Sequence, residues 1–310
     1  MTALICGSFA YDNIMVFPDQ FKNHILPDKV HMLNVCFLVP DMRREFGGCA
    51  GNIAYNLNLL GGDGKPMGAV GQDFAPYAEW MTKKQISQEF LLPVSDAFTA
   101  QAFITTDLDD NQITAFHPGA MNHAHEQVIP TDAGISLGLL SPDGRDAMLQ
   151  HAEQFNAAGI PFVFDPGQGL PMFNGEELLR FIELAEYVTV NDYESQLLQE
   201  HTGLSEAVIA QRVKALIVTR GAEGSVVYTA DETLQIPAVS VADIKDPTGC
   251  GDAYRAGLIF GLMKGVDWQT TCRIASLMGA IKIAHHGTQN HYFTMAEFAD
   301  QFEQAFSYRF

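Results

Sequence analysis

A glycine turn that runs into a helix is encoded by Asp246-Pro247-Thr248-Gly249-Cys250-Gly251-Asp252. Pro247 disfavours a helical conformation at the residue before it, and the two glycines let the backbone approach a ligand closely. The apolar run that follows, residues 253–263, is long enough for a helix packed in the core. The free N–H groups at the start of such a helix, together with the helix dipole, bind anions. The sequence therefore predicts an anion site at residues 249–251.

Asp252 lies in the first turn of this predicted helix. A carboxylate at that position is stabilised as an anion and can act as a base beside a bound phosphate. Taken alone, the G-x-G-D pattern fits a plain helix start equally well, with Asp252 as an ordinary first-turn acid. The whole heptad is a much more specific signal than this short pattern.

The heptad, followed by Ala253-Tyr254-Arg255-Ala256-Gly257, resembles the C-terminal signature of the ribokinase-like sugar and nucleoside kinases. Within that family the chain is most similar to bacterial adenosine kinases, over nearly its whole length. The resemblance implies that Asp252 is the catalytic base and that Gly249, Cys250 and Gly251 form the anion hole. It also implies an α/β fold: a three-layer αβα core with a parallel central sheet, covered by a small β-sheet lid.

Composition excludes several classes of function. The chain has 310 residues, 47% of them hydrophobic, which is enough for a sizeable core. Its formal charge of −19 repels a nucleic-acid backbone, and no apolar run approaches the ~20 residues that span a membrane. The five cysteines are an odd number without C-x-x-C spacing, as expected in a reducing cytoplasm. We therefore expect a cytoplasmic protein with neither nucleic-acid nor membrane partners.

The first strand is predicted at residues 3–7, a short apolar run that suits a buried parallel strand. Ser8 and Asp12 follow at its carboxyl end, where ligands bind in open α/β sheets. Asp12 could accept two hydrogen bonds from vicinal hydroxyls, or could simply cap a turn. The resemblance implies that it binds sugar hydroxyls.

A second glycine signal, Gly47-Gly48, opens a predicted helix over residues 50–60. These glycines would allow a small ligand to approach the backbone, and Asn52 would offer it a donor and an acceptor. Close packing of helix on sheet is the alternative explanation. The resemblance implies that Gly48 and Asn52 bind substrate.

The β lid is predicted from two separate segments. Residues 13–46 look like strands, including a β-rich run at 34–39, and residues 98–106 and 112–117 form a hairpin around a turn at 107–111. We expect a core of 1–10, 47–96 and 119–310 that carries the ATP site, and a lid of 11–46 and 97–118. A lid excludes water from a reactive phosphate. Its exposed edge also predicts a homodimer.

The second half of the chain alternates strands and helices, which predicts a parallel sheet with helices on both faces. Residues 225–237 read as an antiparallel edge pair. The predicted strands of this half are 135–140, 162–165, 186–190 and 215–219, and its predicted helices are 143–158, 175–184, 192–201, 250–263, 268–284 and 294–306. One further helix is predicted in the first half, at residues 74–84.

The family resemblance implies binding roles for two further patterns. Asn191 and Glu194 read alone as a helix N-cap, but the family's N-x-x-E motif is associated with Mg²⁺ and phosphate, with Glu194 reaching the ion through water. The loop Thr219-Arg220-Gly221-Ala222-Glu223-Gly224 resembles the family's nucleotide loop, which implies roles for Thr219, Arg220, Gly221 and Gly224. Arg220 would either add charge at the phosphates or be solvated. The family often uses a monovalent cation such as K⁺, and Asp246 and Thr248 match that position.

Specificity for the base is predicted from the lid. The similar adenosine kinases present two aromatic side chains to the purine, and Phe116 matches one of them. The other position falls at or beside Ala102, while Phe103 would face the opposite side of the sheet. We therefore expect a roomier pocket that still prefers purine ribonucleosides, with Gln168 adding hydrogen bonds at the base or ribose edge.

One competing motif, G-x-S-x-G at residues 134–138, is typical of hydrolases, but no strand precedes it and no helix follows at once. Our interpretation is an ATP- and Mg²⁺-dependent kinase acting on the 5′-hydroxyl of a purine nucleoside, with adenosine as the leading substrate. The alternatives are a ribokinase-type sugar kinase, a broad nucleoside kinase acting on inosine or guanosine, and a non-catalytic nucleoside-binding protein.

Overall fold

Two separate β-sheets organise the chain in the computed structural model, which describes residues 1–25, 34–109 and 111–310. Residues 26–33 of the predicted lid and Asp110 of the predicted hairpin turn lie outside the described residues. Numbered along the chain, the strands are β1 (Thr2–Cys6), β2 (Ala10–Val16), β3 (Asp41–Gly47), β4 (Asp63–Gly71), β5 (Phe90–Val94), β6 (Ala100–Thr106), β7 (Gln112–His117), β8 (Ile135–Leu140), β9 (Phe162–Phe164), β10 (Tyr187–Asn191), β11 (Ala215–Thr219), β12 (Ser225–Tyr228) and β13 (Thr233–Ile236).

The helices flank the larger sheet. They are α1 (Cys49–Leu59), α2 (Ala75–Lys83), α3 (Arg145–Ala157), α4 (Gly175–Leu184), α5 (Asp192–Thr202), α6 (Glu206–Ala210), α7 (Cys250–Lys264), α8 (Trp268–Ile283) and α9 (Met295–Phe306). In the described residues no helix has both the length and the apolar character needed to cross a membrane. All five cysteines are free thiols.

The larger sheet runs in the order β13-β12-β11-β10-β9-β8-β1-β4-β5. It is parallel from β11 to β5, and β12 and β13 are antiparallel at one edge, as the sequence predicted. Apolar residues fill both faces of its central strands, because helices cover both sides. In β1, Ile5 packs with α1, α7 and α8, whereas Leu4 packs with α3 and α4. The predicted three-layer αβα architecture is therefore confirmed.

The smaller sheet has the order β3-β2-β6-β7 and forms separately from the first, as predicted for the lid. Its register places Asp12 of β2 opposite Glu45 of β3 and Ala102 of β6, and Ala102 opposite Phe116 of β7. Residues opposite one another on neighbouring strands share a face of the sheet. The predicted sugar-binding and purine-stacking positions therefore lie on one face. The exact boundaries of lid and core stay a prediction.

Three details differ from the sequence-based expectations. The run at 34–39 is not a strand: it is irregular and pairs with no strand in the described chain, since β propensity reports fit to a paired surface rather than pairing itself. The edge strand β5 was missed because it contains Pro93, which is tolerated at edges but obscures a strand pattern. The five-residue helix α6 was also missed, being too short for a periodic pattern.

The crossing of α7 and α8 depends on Gly257, because a Cβ there would lie 2.5 Å from the Cα of Ala275. Gly279 is the matched control, since a Cβ there would meet only the Cys250 carbonyl oxygen, at 3.7 Å. We expect Gly257→Ala to lower the free energy of unfolding by about 1–3 kcal/mol through overpacking. Gly279→Ala should leave it unchanged or raise it by up to about 1 kcal/mol through helix propensity. Urea denaturation measures both; equal losses would contradict this packing argument.

Candidate active site

The glycine turn does place Asp252 at the start of a helix. Gly249 precedes the first residue of α7 with φ +77°, a left-handed conformation that favours glycine. Across the core, Asn52 of α1 donates a hydrogen bond from Nδ2 to Asp252 Oδ2 at 2.8 Å. The orientation of this amide is fixed from its other end, because Asn52 Oδ1 accepts a hydrogen bond from Gln289 Nε2 at 2.9 Å. The helices that follow the two glycine motifs thus bring Asn52 and Asp252 into direct contact.

The amides of the turn are arranged for an anion. The Cys250 N–H donates to the Pro247 carbonyl oxygen at 3.2 Å. The N–H groups of Gly249 and Gly251 have no hydrogen-bond partner within the described part of the chain. Unpaired amides at a helix N-terminus attract negative charge, so the turn has the properties of the predicted anion hole.

Buried charges surround Asp252. Burial, the largest effect, raises the pKa of this carboxyl group to about 6, and the charge of Asp165 acts in the same direction. The hydrogen bond from Asn52 and the charge of Arg255 oppose them. Arg255, one turn further along α7, is bound by both oxygens of Asp165 at 3.0 Å and lies 4.0 Å from Glu194. The Arg255 guanidinium therefore offsets part of the negative charge of Asp165 and Glu194 next to the proposed base.

Sequence reasoning missed the role of Arg255 and Asp165. The sequence did contain a signal for Arg255, which is an arginine inside an otherwise apolar helix. A buried arginine is almost always paired, so this position indicates a buried acidic partner. Its partner could not be named, because Asp165 lies 90 residues earlier in the chain. Gln289 was missed as well, for it belongs to a loop without a recognisable pattern.

Ser8, Asp12 and Gly48 meet where β1, β2 and α1 converge. Ser8 Oγ accepts a hydrogen bond from the Cys49 N–H at 3.2 Å. Gly48 has φ +86°, and a Cβ there would lie 2.5 Å from the Ser8 carbonyl oxygen, so only glycine fits. The Asp12 carboxylate packs against the backbone of Gly47, whose added Cβ would lie 2.5 Å from Oδ2.

The pKa of Asp12 is raised to about 6 by burial first, and then by the negative charges of Glu45 and Asp246. Asp12 therefore lies within the electrostatic reach of the residue that begins the glycine turn. A carboxylate with this environment gains from ligands that donate hydrogen bonds to it.

The lid face beside Asp12 carries a small residue and then an aromatic one. Ala102 is 8% exposed and Phe116 is 52% exposed, so a ligand at this face would meet one free ring. Phe103 pairs in register with Asn13 and Ala115, on the other face of the sheet. It does not replace a ring at position 102. Gln168 is exposed in the 3₁₀ turn Gly167–Met172 that follows β9.

A cavity of about 480 Å³ joins the predicted nucleotide loop to the glycine turn. It is lined by Thr219, Gly221 and Gly224 from the loop and by Cys250 and Gly251 from the turn. Arg220 is not among the lining residues; its guanidinium donates a hydrogen bond to the Tyr228 hydroxyl at 3.1 Å. A role for Arg220 at the phosphates stays a prediction.

The Asn191 and Glu194 side chains form a capping box at the start of α5. Asn191 Oδ1 accepts from the Glu194 N–H at 2.7 Å, and Glu194 Oε2 accepts from the Asn191 N–H at 2.8 Å. Glu194 Oε1 has no hydrogen-bond partner among the described residues. Within those residues no group of three or more His, Cys, Asp or Glu side chains is placed to hold a metal. This donor set fits Mg²⁺ that is held mainly by phosphates and water, with one carboxylate oxygen behind the water.

With this geometry in place, comparison with known proteins identifies the family. The model of the pfkB family of carbohydrate kinases matches residues 19–294. The chain belongs to this family. It is 31% identical to a nucleoside kinase of Methanothermobacter thermautotrophicus over 314 aligned residues, covering 98% of this chain and 96% of the relative.

Solved structures of the family agree with the fold. The nucleoside kinase of Burkholderia thailandensis in complex with inosine superimposes with a TM-score of 0.91 at 54% identity, covering 99% of both chains. The nucleoside kinase of Methanocaldococcus jannaschii superimposes with a TM-score of 0.89 at 29% identity, covering 98% of this chain and 99% of the relative. The ribokinase-like fold expected from the sequence is thereby confirmed.

Asn52→Ala tests the link between α1 and the base. The hydrogen bond from Asn52 stabilises the ionised form of Asp252, so its loss should raise the pKa of Asp252 by about one unit. Because a base must be deprotonated, the acid limb of the kcat/KM profile should move to higher pH by the same amount. The profile of Asp12→Asn provides the control, since Asp12 also titrates at about pH 6. An unmoved acid limb in Asn52→Ala would contradict the assignment.

Proposed function

We propose that this protein transfers the γ-phosphoryl group of ATP to the 5′-hydroxyl of a purine nucleoside, with adenosine as the leading substrate. The observation that carries the proposal is the position of Asp252. It lies at the start of α7, hydrogen-bonded to Asn52 on the lid side, next to the Cys250 and Gly251 backbone that lines the cavity. The nucleoside kinases among the similar proteins support the same substrate class.

The chemistry follows from the environment of Asp252. Asp12 and Asn52 would hold the ribose hydroxyls, so that positioning supplies much of the rate. As the 5′-oxygen bonds to the γ-phosphorus, its proton passes to Asp252 and the bond from phosphorus to the bridging oxygen of ADP breaks. The buried Arg255 favours the ionised, proton-accepting form of Asp252.

The glycine turn would stabilise the transferring group. Negative charge on the equatorial phosphoryl oxygens would meet the N–H groups of Gly249 and Gly251, which have no partner among the residues that the structure describes. The cavity lined by Thr219, Gly221 and Gly224 is placed to receive the rest of the nucleotide. Mg²⁺, when bound, would neutralise charge on the phosphates, with Glu194 behind its water shell.

A broader nucleoside kinase is the second candidate, and Ala102 favours it. One ring, Phe116, would stack on the base where two are expected, and an aromatic–base stack is worth about 1–3 kcal/mol. The similar Burkholderia thailandensis enzyme was solved in complex with inosine, which agrees with a pocket that admits hypoxanthine.

A panel of acceptors tests the function. ADP formation is measured with adenosine, inosine, guanosine and ribose, and the position of the new phosphate is read by NMR. We expect turnover with the purine nucleosides, 5′-monophosphates as products, and little activity on ribose. Preference for ribose would replace this proposal with a sugar kinase, and ATP use with none of the four would favour a binding protein.

Ala102→Phe tests whether position 102 sets the preference among nucleobases. Adding the second ring should tighten adenosine or sharpen the preference among bases, by about 1–3 kcal/mol in kcat/KM. Val16→Phe, on an exposed position of the same strand pair, is the control for a new lid aromatic away from Ala102. If the unaltered enzyme already rejects inosine and guanosine by several orders of magnitude, the roomy-pocket explanation is wrong.

Asp252→Asn tests the base directly. The amide keeps the size of the side chain but accepts no proton, so kcat should fall by about 10² or more. Nucleoside binding, measured by calorimetry, should survive because Asp12 and Asn52 remain. Asp231→Asn, on an exposed turn, is the control. Most of the turnover retained in Asp252→Asn would remove Asp252 from its assigned role.

We also propose a homodimer formed through the lid. All six residues of β7 are exposed, including Ile113 and Phe116, and β7 ends the described order of the smaller sheet. An exposed edge strand with apolar side chains favours pairing with a second copy. Light scattering on the purified protein should give twice the chain mass of 34.0 kDa.

A further inference from the structure

Lys282 is a fully buried lysine in the last turn of α8, with 0% of its surface exposed. Its Nζ donates hydrogen bonds to the carbonyl oxygens of Asp246 at 2.6 Å and His285 at 3.2 Å. The Asp246 carboxylate lies 4.0 Å from the same Nζ. Every one of these neighbours accepts hydrogen bonds, so the group they suit is a cation with N–H donors.

The lysine supports the start of the glycine turn through Asp246. The Asp246 carboxylate accepts the Thr248 N–H and the Gly287 N–H, each at 2.9 Å. Asp246 therefore ties the turn to the loop after α8, and Lys282 bonds the Asp246 carbonyl oxygen at the centre of that junction. Burial lowers the pKa of Lys282, and the charge of Asp246 opposes this effect.

This geometry conflicts with a potassium ion at Asp246 and Thr248. In potassium-channel filters, K⁺ is bound by backbone carbonyl oxygens that replace its hydration shell, and the same kind of oxygen would have to hold it here. Here the Asp246 and His285 carbonyl oxygens already accept hydrogen bonds from the Lys282 ammonium group. A second positive charge at the same oxygens would be repelled by the first. The residues present therefore do not fit the K⁺ site that the family resemblance implied.

We propose that the Lys282 ammonium group is a built-in monovalent cation that positions the glycine turn, so that the enzyme works without K⁺. Lys282 acts through the turn rather than on the substrate, which makes it a positioning residue. The inference rests on the proposed phosphoryl transfer at residues 249–252, and goes beyond it in assigning the cation requirement.

The test begins with the unaltered enzyme. Turnover and melting temperature are compared in potassium, sodium and tetramethylammonium chloride at equal ionic strength. We expect the same values in all three salts, because a specifically bound ion would raise both in a saturable way. Saturable activation by K⁺ together with a K⁺-specific rise in melting temperature would overturn the inference. Absence of turnover in every salt would instead contradict the proposed function, and the melting comparison would still decide the cation question.

Lys282→Ala and Lys282→Met separate charge from volume. Both should lower kcat by about 10-fold or more, since the turn loses its internal cation, while the KM for nucleoside stays near its original value. K⁺ or methylammonium should restore part of the turnover of Lys282→Ala, which leaves space, but not of Lys282→Met, which fills it. Lys264→Ala, at the exposed end of α7, is the control.

Three outcomes would contradict the inference: unchanged turnover of Lys282→Ala in tetramethylammonium, a loss that neither K⁺ nor methylammonium restores, and equal rescue of both variants. If the variants do not fold, the salt comparison on the unaltered enzyme decides.

Discussion

The hydrogen bond from Asn52 to Asp252 joins the two halves of the site. It connects α1, which follows the lid strand β3, to α7, which follows the glycine turn. Asn52 is 3% exposed, and Gln289 holds its other end, so the bond is buried and directional. The bond opposes the burial that raises the pKa of Asp252, and so favours the ionised form of this carboxyl group. The same hydrogen bond therefore fixes the position of the proposed base and favours its ionised form.

The proposed function requires an acidic protein to bind phosphates at this point. With 18 Lys and Arg against 37 Asp and Glu, the surface cannot do so through its net charge. Two buried cations lie near the glycine turn: Arg255, paired with Asp165, and Lys282, bonded to backbone carbonyl oxygens. Neither side chain lies on the surface, where water would screen its charge. Arg255 lies beside the carboxylates of Asp165 and Glu194, and Lys282 lies beside that of Asp246, so each cation balances buried negative charge near the turn.

Much of this could be predicted from the sequence because the signals are local. The heptad, the paired glycines and the hairpin are continuous patterns, and each gave the correct element within a few residues. The hairpin that carries Ala102 and Phe116 was also predicted, and the structure adds the register that places them opposite one another. The two buried cations could not be placed, because Arg255 and Lys282 bond partners 90 and 36 residues away. The prediction of a strand at 34–39 was wrong for the same reason. Its residues suit a strand, but strand pairing depends on residues that are distant in the sequence.

Carboxyl ¹³C NMR on aspartate-labelled protein tests most directly whether Asp252 is a buried carboxylate that takes a proton near neutral pH. Asp252→Asn assigns its signal, and Asp12→Asn assigns the other aspartate that we expect to titrate late. We expect the Asp252 signal to titrate at about pH 6, because burial raises the pKa of this carboxyl group. Titration near the ordinary aspartate value of about 3.9 would show an unperturbed surface acid and would contradict this expectation.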